Sequence, residues 1–241
     1  MKKFTAVIAA IMMITAAGCG KTVGNADPTL PVLSTSPAET STSADASAGG
    51  TTTTSISEVT TSAPAYTVND DGALLFGVPV SEQDDAVLIE AANKLYSAAC
   101  TTEWRYTVGC PYEVDRAKTA QNSLGWDFYL ITETGINSLA DVRADYHKIF
   151  SESYPDAIDE TFLESGGRAY CLCGERGNNI YFQRSEVVEV KSKSDSEIVF
   201  GVDSSYTDDG YGSGPYTAHD DFVVTVDSDD VWRVKEFKMP Y

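Results

Sequence analysis

Five cysteines and two histidines are the side chains here best suited to holding a metal ion or serving a nucleophile, few enough to weigh singly. Cys100, Cys110, Cys171 and Cys173 are spaced C-x9-C and C-x-C, not the paired C-x2-4-C of a zinc site. On a strand, Cys171 and Cys173 share a face, which suits partners elsewhere in the fold rather than each other. Four thiols allow three disulfide connectivities, which an oxidising compartment would favour. One of these, Cys100–Cys110, would staple a helix exit and contribute roughly 3 kcal/mol through loop closure. His147 falls within an expected helix, between Tyr146 and Ile149, and His219 lies beside Asp220 and Asp221. A His–Asp pair can act as a base, but no nucleophile or metal set is spaced to serve it. The G-x-S-x-G elbow, H-E-x-x-H and the P-loop are absent from the sequence. The expectation is a protein without catalytic residues, resident metal or cofactor.

The acids gather late in the chain. Asp203, Asp208, Asp209, Asp220 and Asp221 surround Gly210, Gly212 and Gly214. Their spacing does not fit an EF-hand loop, and a long glycine-rich hairpin tip carrying solvated acids explains it more simply. Asp208, Asp209, Asp220 and Asp221 are therefore the candidate binding surface. The whole chain of 241 residues has 17 basic and 36 acidic side chains, a net charge of −19. Such a surface repels phosphate, which excludes nucleic acid as a partner and favours cationic wall polymers or basic proteins.

Residues 1–18 follow the secretory pattern. Lys2 and Lys3 open it, Phe4–Ile14 forms an apolar core, and Ala16, Ala17 and Gly18 precede Cys19. This resembles a bacterial lipobox, so Cys19 is expected to carry a lipid anchor and to hold the protein on the extracytoplasmic face of the membrane. Several acyl chains at about 0.8 kcal/mol per CH2 make such anchoring stable. Residues 19–66 form a linker in which Ser and Thr supply 19 of the 47 positions from Gly20 to Tyr66. That composition cannot bury enough apolar surface to offset its chain entropy, so a disordered stalk is expected.

Residues 67–241 carry the apolar content and form the expected globular domain. It holds 32 acidic and 14 basic side chains, a net charge of −18. Val87, Leu88, Ala91, Ala92, Leu95 and Ala99 recur at helical spacing and predict a helix over 82–99. Strands are expected at 107–116 and 126–132. Ser138 with Asp141 reads as a capping box opening a second helix, which Pro155 ends, and a third helix at 156–164 is expected to stop at Gly166–Gly167. Beyond Gly167 the pattern is all strand: 168–173, 178–183, 186–193, 196–206, 216–227 and 231–238. Phe222–Val226 and Val231–Phe237 alternate as strands with one covered and one wet face. Helices first and an antiparallel meander last predict an α+β fold, with N-terminal helices packed on a curved antiparallel sheet behind the disordered stalk.

The most distinctive stretch is Glu175-Arg-Gly-Asn-Asn-Ile-Tyr-Phe182, in which Arg176, Gly177, Asn178, Asn179, Ile180 and Tyr181 read as a turn leading into a strand. Gly177 is expected to supply a positive φ, and Arg176 an ion pair or carbonyl contact. With the closing Val-Trp-Arg-Val-x-x-Phe, this order resembles the IseA family, secreted inhibitors of cell-wall DL-endopeptidases of the NlpC type. The resemblance runs from about residue 85 onward. It implies a non-enzymatic inhibitor or modulator with a cell-wall hydrolase as partner, and the motif residues as chiefly structural. The alternative is a ligand-binding lipoprotein on a cone-shaped sheet, like the nuclear-transport-factor-2 or cystatin folds. A large enclosed apolar pocket would favour that alternative, and a solid core with a protruding loop would favour inhibition.

Overall fold

The computed structural model describes residues 64–174, 177–208 and 214–241, all within one compact unit. Residues 1–63, which hold the expected signal peptide, Cys19 and most of the expected stalk, lie outside the described residues, as do Arg176 and Asp209.

Two short strands come first, β1 (Tyr66–Val68) and β2 (Leu74–Phe76), paired antiparallel. A turn built on Asn69 joins them, its side chain accepting from the Asp71 and Ala73 amides. Gly72 sits in that turn at φ +100°, a region that L side chains rarely adopt. Helix α1 then spans Asp85–Thr107, capped by the Asp84 carboxylate. It buries Leu88, Ala91, Ala92, Leu95, Tyr96, Ala99, Cys100 and Tyr106 along one side. The helix therefore runs two turns past the expected end at residue 99. The aromatic and β-branched residues from Thr101 to Thr107 favour strand intrinsically, but Cys100 and Tyr106 extend the buried face, and tertiary burial overrides propensity.

The chain next builds β3 (Val114–Gln121) and β4 (Asp127–Ile131); the first starts at 114 rather than 107, because Thr107 closes α1 and residues 108–113, with Gly109 and Pro111, form a loop. Helix α2 (Leu139–Tyr146) opens as expected: Ser138 Oγ accepts from the Asp141 amide, and Asp141 accepts from the Ser138 amide. The expected third helix is reduced to one turn, α3 (Ile158–Thr161), followed by strands β5 (Phe162–Ser165) and β6 (Arg168–Cys171). Gly166 and Gly167, at φ +58° and +71°, form the two-residue hairpin turn between those strands rather than a helix cap. Both roles need left-handed backbone, so the glycine pair alone does not distinguish them.

The rest is β7 (Phe182–Lys193), β8 (Glu197–Tyr206), β9 (Tyr216–Val226) and β10 (Trp232–Glu236). The expected strand at 178–183 is instead a loop as far as Tyr181. Two antiparallel sheets result where one was expected: β1-β2-β10-β9-β8-β7 and β3-β4-β6-β5. The protein is a mixed α/β fold with few helices and mostly sheet. The larger sheet is curled, and its β7–β8 ladder is interrupted by three register shifts, the kind of irregularity that bends and twists a strand.

A core rich in aromatic side chains lies between these elements. Tyr96 from α1 meets Phe222 edge-on at 5.2 Å and Phe237 at 5.4 Å, and Phe150 stacks on Tyr146 at 4.6 Å. Asn93 accepts from the Val187 amide and donates to its carbonyl, so α1 satisfies a peptide group of β7. Behind α2, the Phe150 segment makes a parallel bridge to Val234 in β10. The expected alternation in β9 is incomplete: Phe222, Val223 and Val224 are all buried, so both faces are covered there.

Candidate functional site

An open groove of about 740 Å³ lies where the β1–β2 turn, the C-terminal end of α1, the loop after β4 and α2 converge. Asp71, Arg105, Tyr112, Glu133, Asp145 and Lys148 supply its chemistry. The best organised group is Asp145. Tyr106 Oη (2.6 Å) and Tyr112 Oη (2.9 Å) both donate to its Oδ2, and Lys148 Nζ lies 3.0 Å from its Oδ1. Lys148 also pairs with Asp71 at 3.1 Å. Burial pulls the Asp145 carboxyl upward, but the bonds from Tyr106, Lys148 and Tyr112 outweigh it and hold the acid below its ordinary range. Burial, with the neighbouring carboxylate adding to it, pushes both tyrosine hydroxyls well up, so they stay protonated donors.

Glu103 shows the opposite balance. Burial raises its carboxyl against the bond donated by Tyr146 Oη at 2.5 Å. Two carboxyls pushed apart in this way can form an acid–base pair, but Glu103 is not part of the groove wall. Asp145 already accepts from three donors, leaving it little capacity as a base. The arrangement suits a rigid polar wall. Arg105, exposed at the rim, makes no ion pair among the described residues and is open to a carboxylate from outside.

The hairpin tip between β3 and β4 projects apolar surface. Leu124 is 72% exposed and Trp126 54%. The tip is locked from within: Asn122 Oδ1 accepts from the Leu124 and Trp126 amides, and the Asn122 and Trp126 backbones bond to each other. Gly125 adopts φ +79° with open space around it.

The acidic candidates are less available than the sequence suggests. Asp220 pairs with Lys238 at 2.7 Å, and Asp221 with Lys191 at 2.6 Å. As neighbours on β9 they face opposite sides of the sheet. Asp208 is exposed just past β8. His219 sits directly across from Asp203 in the ladder, its Nδ1 2.6 Å from Oδ1. His147 caps α2 rather than lying inside it, donating from Nδ1 to the Ser151 carbonyl at 3.0 Å.

In the motif loop, Asn179 accepts from the Tyr181 amide and Ile180 is 80% exposed. The Tyr181 carbonyl accepts from the Thr207 amide at 2.8 Å, which ties the loop to the end of β8. Gly177 does not have the expected positive φ, and nothing lies within 4 Å of where its Cβ would be. Asn178 is an exposed part of the same loop.

The cysteines also differ from the Cys100–Cys110 pairing. The disulfide joins Cys110 to Cys171, while Cys100 and Cys173 are free. Cys100 faces the core of α1, and burial pushes its thiol up to about 12. Cys110 lies beyond the end of that helix, where it meets β6 instead. Cys173 Sγ stands 3.6 Å from Cys171 Sγ. Among the described residues, Cys110, Cys171 and Cys173 are the cluster close enough for a metal ion, and two of them are joined in the bridge.

Neither the groove nor the Leu124–Trp126 tip was found from sequence. The groove draws on four separated segments, whereas the tip had a readable signal in Asn122 and Gly125 around two apolar residues. No protein-family model matches the chain, and no curated protein matches it.

Proposed function

We propose that this protein is a cell-envelope lipoprotein, anchored through Cys19, that acts as a non-enzymatic inhibitor or modulator of a peptidoglycan DL-endopeptidase. In this reading the N-terminal helices cover one face of the curved sheet and leave the loops free for a partner. The observation that carries the proposal is the Asn122–Trp126 tip, where a large aliphatic and a large aromatic side chain stand out from a backbone already fixed by Asn122. A pre-ordered tip loses little conformational entropy on docking, and exposed Trp is a frequent anchor at protein interfaces. The groove is open and its chemistry is polar, which supports inhibition over the alternative of an enclosed apolar ligand chamber. The sequence resemblance in Arg176–Tyr181 and in Val231–Phe237 supplies the target class.

The test is muropeptide release by purified NlpC-type endopeptidases with a molar excess of the full-length protein. Release should slow, and Leu124→Ser with Trp126→Ser should restore it while the thermal melt stays in place. Full-rate hydrolysis across several such enzymes would remove the proposal in favour of ligand binding.

A further inference from the structure

Cys110, Cys171 and Cys173 bring three sulfurs within 4.8 Å of one another, and only two of them can share one bridge. Cys171 is fully buried, whereas Cys110 and Cys173 are half-buried at the edge of the core. A thiol held beside a disulfide is what exchange requires: a thiolate attacks one sulfur and the other leaves. The spare thiol here touches the central sulfur at 3.6 Å.

We propose that these residues form a thiol–disulfide exchange centre in which Cys173 attacks Cys171, the bridge moves to Cys171–Cys173, and Cys110 is released as a modifiable thiol. Cys173 first gives its proton to water. Its sulfur then bonds to Cys171 Sγ as the Cys171–Cys110 bond breaks, and the electron pair of that bond goes to Cys110 Sγ, which takes up a proton. One disulfide and one thiol exist before and after, so no oxidant or reductant is consumed.

Attack on a disulfide runs along the sulfur–sulfur axis, whereas these sulfurs form a triangle, so Cys173 must rotate about its side chain before it reacts. The backbone permits this. Strand β6 ends at Cys171, leaving Cys173 outside the ladder. Burial pushes the Cys173 thiol up, with Arg116 pulling it back, so the exchange is slow near neutrality and quickens with pH.

The move has a structural consequence. The present bridge spans 61 positions and ties the loop after α1 to β6. Pro111 and Tyr112, directly after Cys110, belong to the groove wall. Once the bridge has moved, that wall is held only by its own packing and hydrogen bonds. The exchange centre thus gives the groove two covalent states, independently of which partner the groove or tip binds.

The experiment uses the full-length chain purified without reductant and kept native. Samples held at about pH 7 and about pH 8 are quenched with N-ethylmaleimide, digested, and mapped by mass spectrometry without reduction. Peptides with a Cys171–Cys173 bridge and labelled Cys110 should appear, their rate of formation rising about tenfold per pH unit below the thiol's pKa. Cys173→Ser should remove Cys110 labelling while leaving the Cys110–Cys171 bridge intact. Cys110→Ser, given glutathione disulfide as oxidant, should form the Cys171–Cys173 bridge. Buried Cys100 serves as the internal control for unfolding. Equal Cys110 labelling in wild type and Cys173→Ser would overturn the proposal, as would a folded Cys110→Ser chain in which Cys171 and Cys173 do not join. Should Cys110→Ser not fold, the comparison of wild type with Cys173→Ser decides alone.

Discussion

Replacing Asp145 with Asn should destabilise the protein by about 2–3 kcal/mol near neutral pH, and that loss should fade in acid. Two tyrosine hydroxyls and one ammonium converge on this carboxylate. An amide that turns its oxygen toward Tyr106 and Tyr112 places its NH2 against Lys148, and the reverse flip faces NH2 groups toward the tyrosines. A hydrogen bond to a charged acceptor exceeds a neutral one by about 1 kcal/mol, so the two tyrosine bonds account for about 2 kcal/mol. The Lys148 pair adds at most about 1 kcal/mol because that lysine is half exposed. At about 2–4 °C per kcal/mol for a domain of this size, melting should fall by about 4–12 °C. The sign in acid follows from the lowered Asp145 pKa. A carboxyl depressed in the folded state contributes stability that is present above its unfolded value, about 3.9, and lost as pH falls through the folded value. Thermal melts of wild type and Asp145→Asn at about pH 7, 5 and 3 should therefore converge as the pH falls. A difference below about 0.5 kcal/mol at neutral pH, within the scatter of surface substitutions, would refute the reasoning. So would a large difference that does not change with pH.

Gly72→Ala should cost about 2–3 kcal/mol, read from the urea midpoint, because φ is +100° and the new Cβ would stand 3.1 Å from Ala98 Cβ and 3.3 Å from Ile149 Cδ1. Gly177→Ala, with ordinary backbone and open space, should shift the same midpoint by less than about 0.5 kcal/mol. Arg233 grips Asp229 through two nitrogens, drawing that carboxyl down to about 2. NMR titration of Arg233→Ala should return it toward about 3.9, and since Asp229 is half exposed the stability lost near neutral pH should not exceed about 1 kcal/mol. Cys19→Ala should release the protein into the medium or leave an uncleaved precursor, visible by fractionation and intact mass.

What could be read from the sequence was what depends on neighbours in the chain. The Ser138–Asp141 capping box spans one helical turn, and its atoms meet as those two residue types predict. The long strands after Phe182 are signalled by runs of β-branched and aromatic residues. The same local reading failed where two structures share a signature. Gly166–Gly167 offers left-handed backbone equally to a helix cap and a hairpin, and Phe162–Ser165 pairing with Arg168–Cys171 decides between them. Strands β1 and β2 are three residues each, too short to show a period. The Cys110–Cys171 bridge depends on where α1 ends relative to β6, which no spacing along the chain encodes. The Asp145 network likewise joins residues 33 and 39 positions apart.

The pairing of Trp232 with Leu74 has a further meaning for how the protein is made. Strand β2 has β1 on one side and can gain its other neighbour only after β10 has been synthesised. Until then the first hairpin is a short two-stranded ribbon, a size that is marginal in water. The Phe150 bridge to Val234 and the Tyr96 contact with Phe237 also wait for the same late segment. Such long-range closure delays cooperative folding until almost all of the domain is available. Under the proposed export of the chain as an unfolded strand, this ordering would keep the early segments pliable during passage and defer the final collapse to the far side.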